Sequence, residues 1–327
     1  MKNLIVTYKT TQEEKNFLLK FFSEQINDKE ITIEFLQDHP EQHRGDLLRN
    51  SNIILAWNPK AEGLISQDIK YDNLEFIQLL SAGYDHINLN LLPINVKVAA
   101  NQGAYAEPMA EHTVAMLLSC AKRLNKYQNL MKQGIFRQLE SFTLPIKGRT
   151  VGILGFGGIG KATAKLLKPF GAKIIGINTS GKTNEDIDAI YTLDNLDEFL
   201  AQIDYLIITI PLNEKTKGLI SKRELELMKP NAVLVNVARG AIINEKDLYE
   251  HLRANPEFYA AIDAWWVEPF GSGEFRLNYP FLDLPNVVGS PHNSSMVPNA
   301  LIDGVAYACE NIKSYIETGK ADRLIKN

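Results

Sequence analysis

The sequence predicts an α/β protein with two parallel sheets. Three observations carry that prediction: short apolar runs alternate with amphipathic stretches, the runs form two series, and a glycine-rich turn opens the second series. The first series covers residues 4–6, 31–35, 53–57, 74–80 and 96–100. The second covers 150–154, 173–177, 205–210, 232–237, 259–262 and 286–289, and six such runs make a complete Rossmann complement. A chain of 327 residues is too long for one core and suits two domains.

Between the series, a pattern from Glu107-Pro108 to Gly134 reads as one long helix, with Pro in the first turn and Gly as the stop. A final amphipathic stretch, 299–316, follows the last run and ends before Gly319. It suits either domain, and the residues alone leave its destination open.

Composition narrows the function classes. Acids exceed bases by 39 to 35 and no dense Lys/Arg cluster occurs, so no nucleic-acid partner is expected. The amino-terminal apolar run is too short for a signal peptide. No later run approaches the roughly eighteen residues of a membrane span, so a cytoplasmic protein without membrane contact is expected. Cys120 and Cys309 are two thiols in a large chain, which makes neither a disulfide framework nor a metal site. His39 and His43 have helical ligand spacing, but Pro40 intervenes and no third ligand is apparent, so no metal is expected.

The turn Gly155-Phe156-Gly157-Gly158-Ile159-Gly160 lies between an apolar run and a helical pattern that starts at Ile159. In that context Gly155 permits the sharp bend, Gly157 lets backbone approach a pyrophosphate, and Gly160 lets helix and strand pack closely. The helix start, with its free N–H groups and partial positive charge, favours the anion. A dinucleotide site is therefore expected here.

Ligands in open α/β sheets bind beyond the carboxyl ends of the strands. After the runs of the second series come the glycine turn, Asn178, Pro211, Arg239-Gly240, Asp263 and His292, with Glu268 shortly after Asp263. An Arg, a Glu and a His on one edge provide an anion anchor and a proton-transfer pair.

With these residues in place, the chain resembles the D-isomer-specific 2-hydroxyacid dehydrogenase family. The resemblance rests on Gly155 to Gly160, Asn236-Val237-Ala238-Arg239-Gly240, Asp263-Ala264-Trp265-Trp266-Val267-Glu268-Pro269 and Ser290-Pro291-His292. Ser81-Ala82-Gly83-Tyr84-Asp85-His86 and Ala110-Glu111-His112-Thr113 also match, in the family's order and spacing. The resemblance implies a Rossmann domain, 99–297, inserted into a flavodoxin-like substrate domain formed by 1–98 and 298–327. It also implies that the final helix returns to the first domain and that the long helix makes a homodimer contact.

The implied reaction is reversible hydride transfer between NAD(P)H and a small 2-keto acid. Such a reduction needs an anchor for the carboxylate, a group that polarises the carbonyl, and an acid for the new alkoxide. Arg239 can give two parallel hydrogen bonds and takes the anchoring role by resemblance. His292 is the expected acid, and Glu268 the carboxylate that favours its protonated form. The related formate dehydrogenases carry Gln where this chain has Glu268, which speaks against formate. By resemblance, backbone N–H groups of Ala82 and Gly83 hold the substrate carboxylate.

The same placement puts Gly158 and Ile159 at the pyrophosphate, and Ile210, Pro211 and Thr216 near the adenosine half. It puts Val237, Ala238 and Asp263 near the nicotinamide, although an Asp at a strand end also suits capping. Asn101 is a candidate contact or an ordinary turn residue. Trp265 and Trp266 suit a pocket wall or packing, and packing is the expectation for at least one.

NAD-preferring members place an Asp at the end of the second Rossmann strand. Asn178 stands there instead. Thr179, Ser180 and Lys182 follow with hydroxyls and a positive charge, so NADP is the expected cofactor, with NAD the alternative. After His292 the family continues with a small apolar residue and Gly, whereas this chain reads Asn293-Ser294-Ser295. The expected substrate is glyoxylate or hydroxypyruvate. Alternative readings are 3-phosphoglycerate or phosphite dehydrogenase activity, and a dinucleotide-sensing binding protein like the corepressors that share this pattern.

Overall fold

The computed structural model describes residues 2–26, 31–65, 69–85, 87–269 and 273–326. The chain divides into two compact units, one of residues 1–105 and 297–327, the other of residues 106–296. Each has its own sheet.

In the first unit, β1 (Lys2–Val6), β2 (Ile31–Phe35), β3 (Ile53–Ala56), β4 (Phe76–Leu79) and β5 (Lys97–Ala99) are joined by β13 (Leu324–Lys326). The order is β13-β5-β4-β3-β1-β2, and all pairs are parallel except β13 on β5. Without β13 this is the flavodoxin-type order. Strands β3 and β4 are buried along their whole length, as a sheet covered on both faces requires.

One face is covered by α1 (Gln12–Gln25) and the carboxyl-terminal α9 (Ala300–Thr318), which place Leu18, Phe22, Val305, Ala308 and Ile312 against Leu4, Val6, Ile53 and Phe76. The final helix thus returns to the first unit. α1 starts where it does because Thr11 and Glu14 form a capping box. On the other face Ile54, Ile77 and Val98 pack with Leu48 of α2 (Glu41–Arg49). Asn311 of α9 donates from Nδ2 to Gln78 Oε1 at 2.7 Å and accepts the Asp322 N–H at 2.7 Å, so a buried polar bridge joins helix, β4 and the tail before β13.

The division falls at residue 105, whereas 98 was expected. The Asn101 amide donates to Gly304 O at 2.9 Å and the Tyr105 hydroxyl to Leu80 O at 3.0 Å, which ties 99–105 to the first unit.

Among the described residues the second unit has a seven-stranded sheet: β6 (Thr150–Leu154), β7 (Lys173–Ile177), β8 (Ala189–Tyr191), β9 (Tyr205–Ile208), β10 (Val233–Asn236), β11 (Tyr259–Ile262) and β12 (Val287–Gly289). Their order is β12-β11-β10-β9-β6-β7-β8, all parallel. This is the doubly wound dinucleotide-binding order with one added strand, and its switch point lies between β6 and β9. The sequence pattern misses β8, a three-residue edge strand that is only half buried. It also misses β13, for the same reason.

The long helix expected over 107–134 is two helices, α3 (Ala106–Ala121) and α4 (Leu124–Lys132). Arg123 between them has a φ of 53°, a left-handed conformation that an α-helix cannot contain. Its guanidinium pairs with Glu257 and sits 5.4 Å from the Tyr259 ring centre, which fixes the break. α3 packs against α5 (Gly158–Leu167) and against β10, β11 and β12. The opposite face carries α6 (Leu196–Gln202), α7 (Lys222–Leu227) and α8 (Glu245–Ala254) around Phe199, Leu225, Leu248 and Leu252. Cys120 and Cys309 are both buried, free cysteines in the core.

Candidate active site

The glycine turn leaves β6 at the switch point and enters α5. Gly155 has a φ of 108°, and a Cβ there would stand 2.5 Å from the backbone nitrogen of Ile210. At Gly160 a Cβ would meet the Gly155 carbonyl oxygen at 2.5 Å. At Gly157 it would meet nothing within 4 Å. Two glycines are thus required by the protein's own packing. The third stands beside open space at the amino end of a helix, which fits an approaching diphosphate. Thr209, which the sequence reading passed over, donates its hydroxyl to Gly155 O at 2.7 Å and pins the turn to the end of β9.

Asn178 follows β7. Its Oδ1 accepts the N–H groups of Ser180 at 3.1 Å and Gly181 at 2.7 Å, and its Nδ2 donates to Lys182 O at 2.8 Å. The side chain therefore closes the turn, with Thr179, Ser180 and Lys182 exposed around it. Ile210 flanks Gly155, and Pro211 O accepts the Thr216 hydroxyl at 2.7 Å. Thr216 is only 2% exposed, so its hydroxyl faces inward and braces the Pro211 loop.

Beyond β10 the buried Asn236 shapes the next loop. Its Oδ1 accepts the Ala238 N–H at 3.0 Å and its Nδ2 donates to Arg239 O at 3.0 Å. Val237 and Ala238 are buried, while Arg239 is half-buried with Nη1 donating to Ala238 O at 2.8 Å. Gly240 lies so close to the Trp265 backbone that no Cβ fits, which brings the loops after β10 and β11 together.

Glu268 and His292 meet after β11 and β12. His292 Nδ1 lies 2.7 Å from Glu268 Oε2, and Glu268 Oε1 accepts the Trp265 N–H at 2.6 Å. The His292 side chain is 33% exposed, against 19% for Glu268. With a carboxylate at Nδ1, that nitrogen carries a proton, and Nε2 is the atom left for exchange with a substrate. Asp263 is fully buried and receives Ser290 Oγ–H at 2.5 Å, Asn293 N–H at 3.1 Å and Ser294 N–H at 3.3 Å.

Both tryptophans are packing residues: Trp265 Nε1 donates to Ser290 O, and Trp266 stacks on Phe281 at 5.2 Å. In the first unit Ala82 and Gly83 follow β4, half-buried, where Ser81 O accepts the Asn101 N–H at 3.0 Å. His86 of the same motif lies outside the described residues. His39 pairs with Glu34 at 3.0 Å and His43 is exposed. Among the described residues no group of His, Cys, Asp and Glu is placed to hold a metal ion, and no helix is long and apolar enough to cross a membrane.

Residues 114–294 match the family model for the D-isomer specific 2-hydroxyacid dehydrogenase NAD-binding domain. A glyoxylate reductase of Thermococcus litoralis is 30% identical over 285 residues, 84% of each chain. A D-3-phosphoglycerate dehydrogenase of Methanocaldococcus jannaschii is 28% identical over 265 residues, 80% of this chain; the match spans about half of that relative, 49%. The solved structure of a D-isomer specific 2-hydroxyacid dehydrogenase family protein from Aeromonas salmonicida superposes with a TM-score of 0.78 at 26% identity, covering 99% of this chain and 98% of that one.

Proposed function

We propose, because this chain belongs to the D-isomer specific 2-hydroxyacid dehydrogenase family, that it is an NADP-preferring reductase of a small 2-keto acid such as glyoxylate or hydroxypyruvate. The observation that carries the reading is the 2.7 Å pair of Glu268 and His292, on the same sheet edge as Arg239 and the glycine turn. When bound, the reduced nicotinamide supplies a hydride to the keto carbon. Arg239 holds the substrate carboxylate and carbonyl oxygen and stabilises the charge that develops on that oxygen. His292 donates the Nε2 proton to the new alkoxide, and Glu268, 2.7 Å from Nδ1, keeps the ring oriented. The balance is keto acid, reduced dinucleotide and one proton giving hydroxy acid and oxidised dinucleotide.

In this reading Gly157, Gly158 and Ile159 hold the pyrophosphate, with Gly155 and Gly160 shaping the turn. Ile210, Pro211 and Thr216 form the adenosine side, and Val237, Ala238 and Asp263 the nicotinamide side. Asp263 Oδ2 accepts the Ser294 N–H at 3.3 Å, and its second lone pair gives it acceptor capacity for a carboxamide. Ala82 and Gly83 offer backbone N–H groups to the substrate carboxylate. NADP preference rests on the neutral Asn178, which does not repel a 2′-phosphate, and on the exposed Thr179, Ser180 and Lys182. Cytoplasmic placement and a homodimer belong to the same proposal. The dimer is supported by exposed Leu124, Met131, Phe136, Leu139 and Phe142 in and after α4.

The test is oxidation of NADPH and NADH across glyoxylate, hydroxypyruvate, pyruvate, phenylpyruvate and 3-phosphohydroxypyruvate. The expected result is turnover of the two smallest hydroxyl- or aldehyde-bearing acids with higher kcat/KM for NADPH. A clear advantage for NADH overturns the cofactor assignment. Tight dinucleotide binding without turnover of any acid overturns the enzyme reading in favour of a binding protein.

A further inference from the structure

His292 has a φ of 51°, a left-handed conformation that is uncommon outside glycine, although His enters it more readily than most residues, and that needs surroundings to hold it. Those surroundings are specific. Asp263, fully buried at the end of β11, accepts hydrogen bonds from both flanks of His292: Ser290 Oγ–H at 2.5 Å on one side, Asn293 N–H at 3.1 Å and Ser294 N–H at 3.3 Å on the other. Ser290 is held again by Trp265, whose indole N–H donates to Ser290 O at 2.8 Å.

Behind Ser290 stands a residue of a different element. His112 of α3 has Nε2 3.1 Å from Ser290 Oγ and 3.7 Å from Asp263 Oδ1. Because the single Ser290 hydroxyl proton goes to Asp263, the oxygen can only accept from His112, so Nε2 carries a proton and donates. The direction of the chain is fixed: His112 Nε2–H to Ser290 Oγ, Ser290 Oγ–H to Asp263 Oδ1.

We propose that Ser290 and His112 are positioning residues for His292: with Asp263 they lock the left-handed turn that aims its Nδ1 at Glu268 and presents Nε2 for proton transfer. The inference rests on the reading of His292 as the proton donor. Neither side chain touches the reacting atoms in this scheme. Their contribution is to hold one backbone conformation that the chain would otherwise leave, and a bond from α3 makes that conformation depend on the packing of the whole unit.

The test uses the full chain with Ser290→Ala, Ser290→Thr and His112→Phe. Ser290→Ala is expected to lower kcat by about tenfold, roughly 1.4 kcal/mol of transition-state stabilisation, with KM for the keto acid and Kd for NADPH changed less than about twofold. Ser290→Thr, which keeps the hydroxyl, is expected to restore most of the loss, and His112→Phe to fall between. Imidazole NMR supplies a second readout: the His292 ring signals, assigned by replacing the six histidines singly, shift in Ser290→Ala and return in Ser290→Thr. A wild-type kcat in Ser290→Ala, an equal loss in NADPH binding, or a Thr variant as damaged as the Ala variant overturns the proposal. If the wild-type protein reduces no 2-keto acid, the functional reading fails, and the NMR arm still decides this one: unchanged His292 signals in Ser290→Ala overturn it.

Discussion

Replacing Gly157 and Gly160 separately by Ala separates what the glycine turn does for the protein from what it does for a ligand. At Gly160 the added methyl would stand 2.5 Å from the Gly155 carbonyl oxygen and 3.0 Å from the Ile153 side chain. The oxygen cannot give way easily, because it accepts the Thr209 hydroxyl at 2.7 Å and its residue is wedged against Ile210. Overpacking against fixed backbone costs about 1–3 kcal/mol, and in a unit the length of 106–296 that lowers Tm by roughly 3–10 °C. At Gly157 the methyl meets nothing within 4 Å, and the backbone, φ −94° and ψ −153°, is one that Ala adopts. Stability should therefore stay within about 0.5 kcal/mol of wild type. Binding should not. A methyl projecting where the diphosphate must approach the helix start is expected to weaken NADPH by at least tenfold, about 1.4 kcal/mol. Thermal unfolding and quenching of tryptophan fluorescence by NADPH read the two effects independently. Wild-type NADPH affinity in Gly157→Ala, or a Gly160→Ala protein as stable as wild type, would refute the division of roles.

Three further outcomes follow from the same geometry. Glu268→Gln removes the charge 2.7 Å from His292 Nδ1 and with it the charged partner that orients the ring, so kcat for reduction should fall by about tenfold or more, and a wild-type kcat would remove Glu268 from the mechanism. Asn178→Asp keeps the oxygen that closes the turn but adds a negative charge, so kcat/KM for NADPH relative to NADH should fall by on the order of tenfold or more, and an unchanged ratio would exclude this residue as the selector. Burial alone raises the Asp204 carboxyl pKa, but the Thr150 N–H at 2.9 Å, then Lys229 and Arg149, bring it below the ordinary value; its stabilisation is present above the unfolded pKa of about 3.9 and is lost as pH falls through the lower folded value. Asp204→Asn should therefore cost about 1 kcal/mol in denaturant titrations at neutral pH, a figure reduced by solvent screening, and the cost should fade as pH drops through the lowered folded pKa.

The strands were legible where they are buried on both faces, because such strands must read as unbroken apolar runs; β6, β9, β10 and β11 are of this kind. Edge strands β8 and β13 carry no such constraint and were not visible. The break at Arg123 was hidden for a related reason: what allows a left-handed Arg is its contact with Glu257 and Tyr259, far along the chain. The polar residues at the strand ends were legible as a set, since topology forces them onto one edge. Their division of labour was not. Thr216 and Asn178 offer the right chemistry for a ligand, and only the fold shows that one turns its hydroxyl inward and the other closes its own loop.

That division follows from what a strand end must do in this fold. A loop leaving a buried strand has few apolar contacts to define it, and its amides need partners at once. Three loops here solve the problem with one short polar side chain at the strand end. Asn178 collects Ser180 and Gly181, Asn236 collects Ala238, and Asp263 collects Ser290, Asn293 and Ser294 from the neighbouring loop. Each residue fixes the backbone that carries a proposed functional group: Lys182, Arg239 and His292 respectively. Asp263 alone reaches across to a second loop, and it alone carries charge, which suits the loop with the left-handed φ. A neutral Asn in its place, with its oxygen at the Oδ1 position, would still accept from Ser290 and Asn293 but would turn its amide group toward the Ser294 N–H and leave that donor unheld. The charge at position 263 is thus explained by what it must bind within the protein, before any cofactor contact is considered.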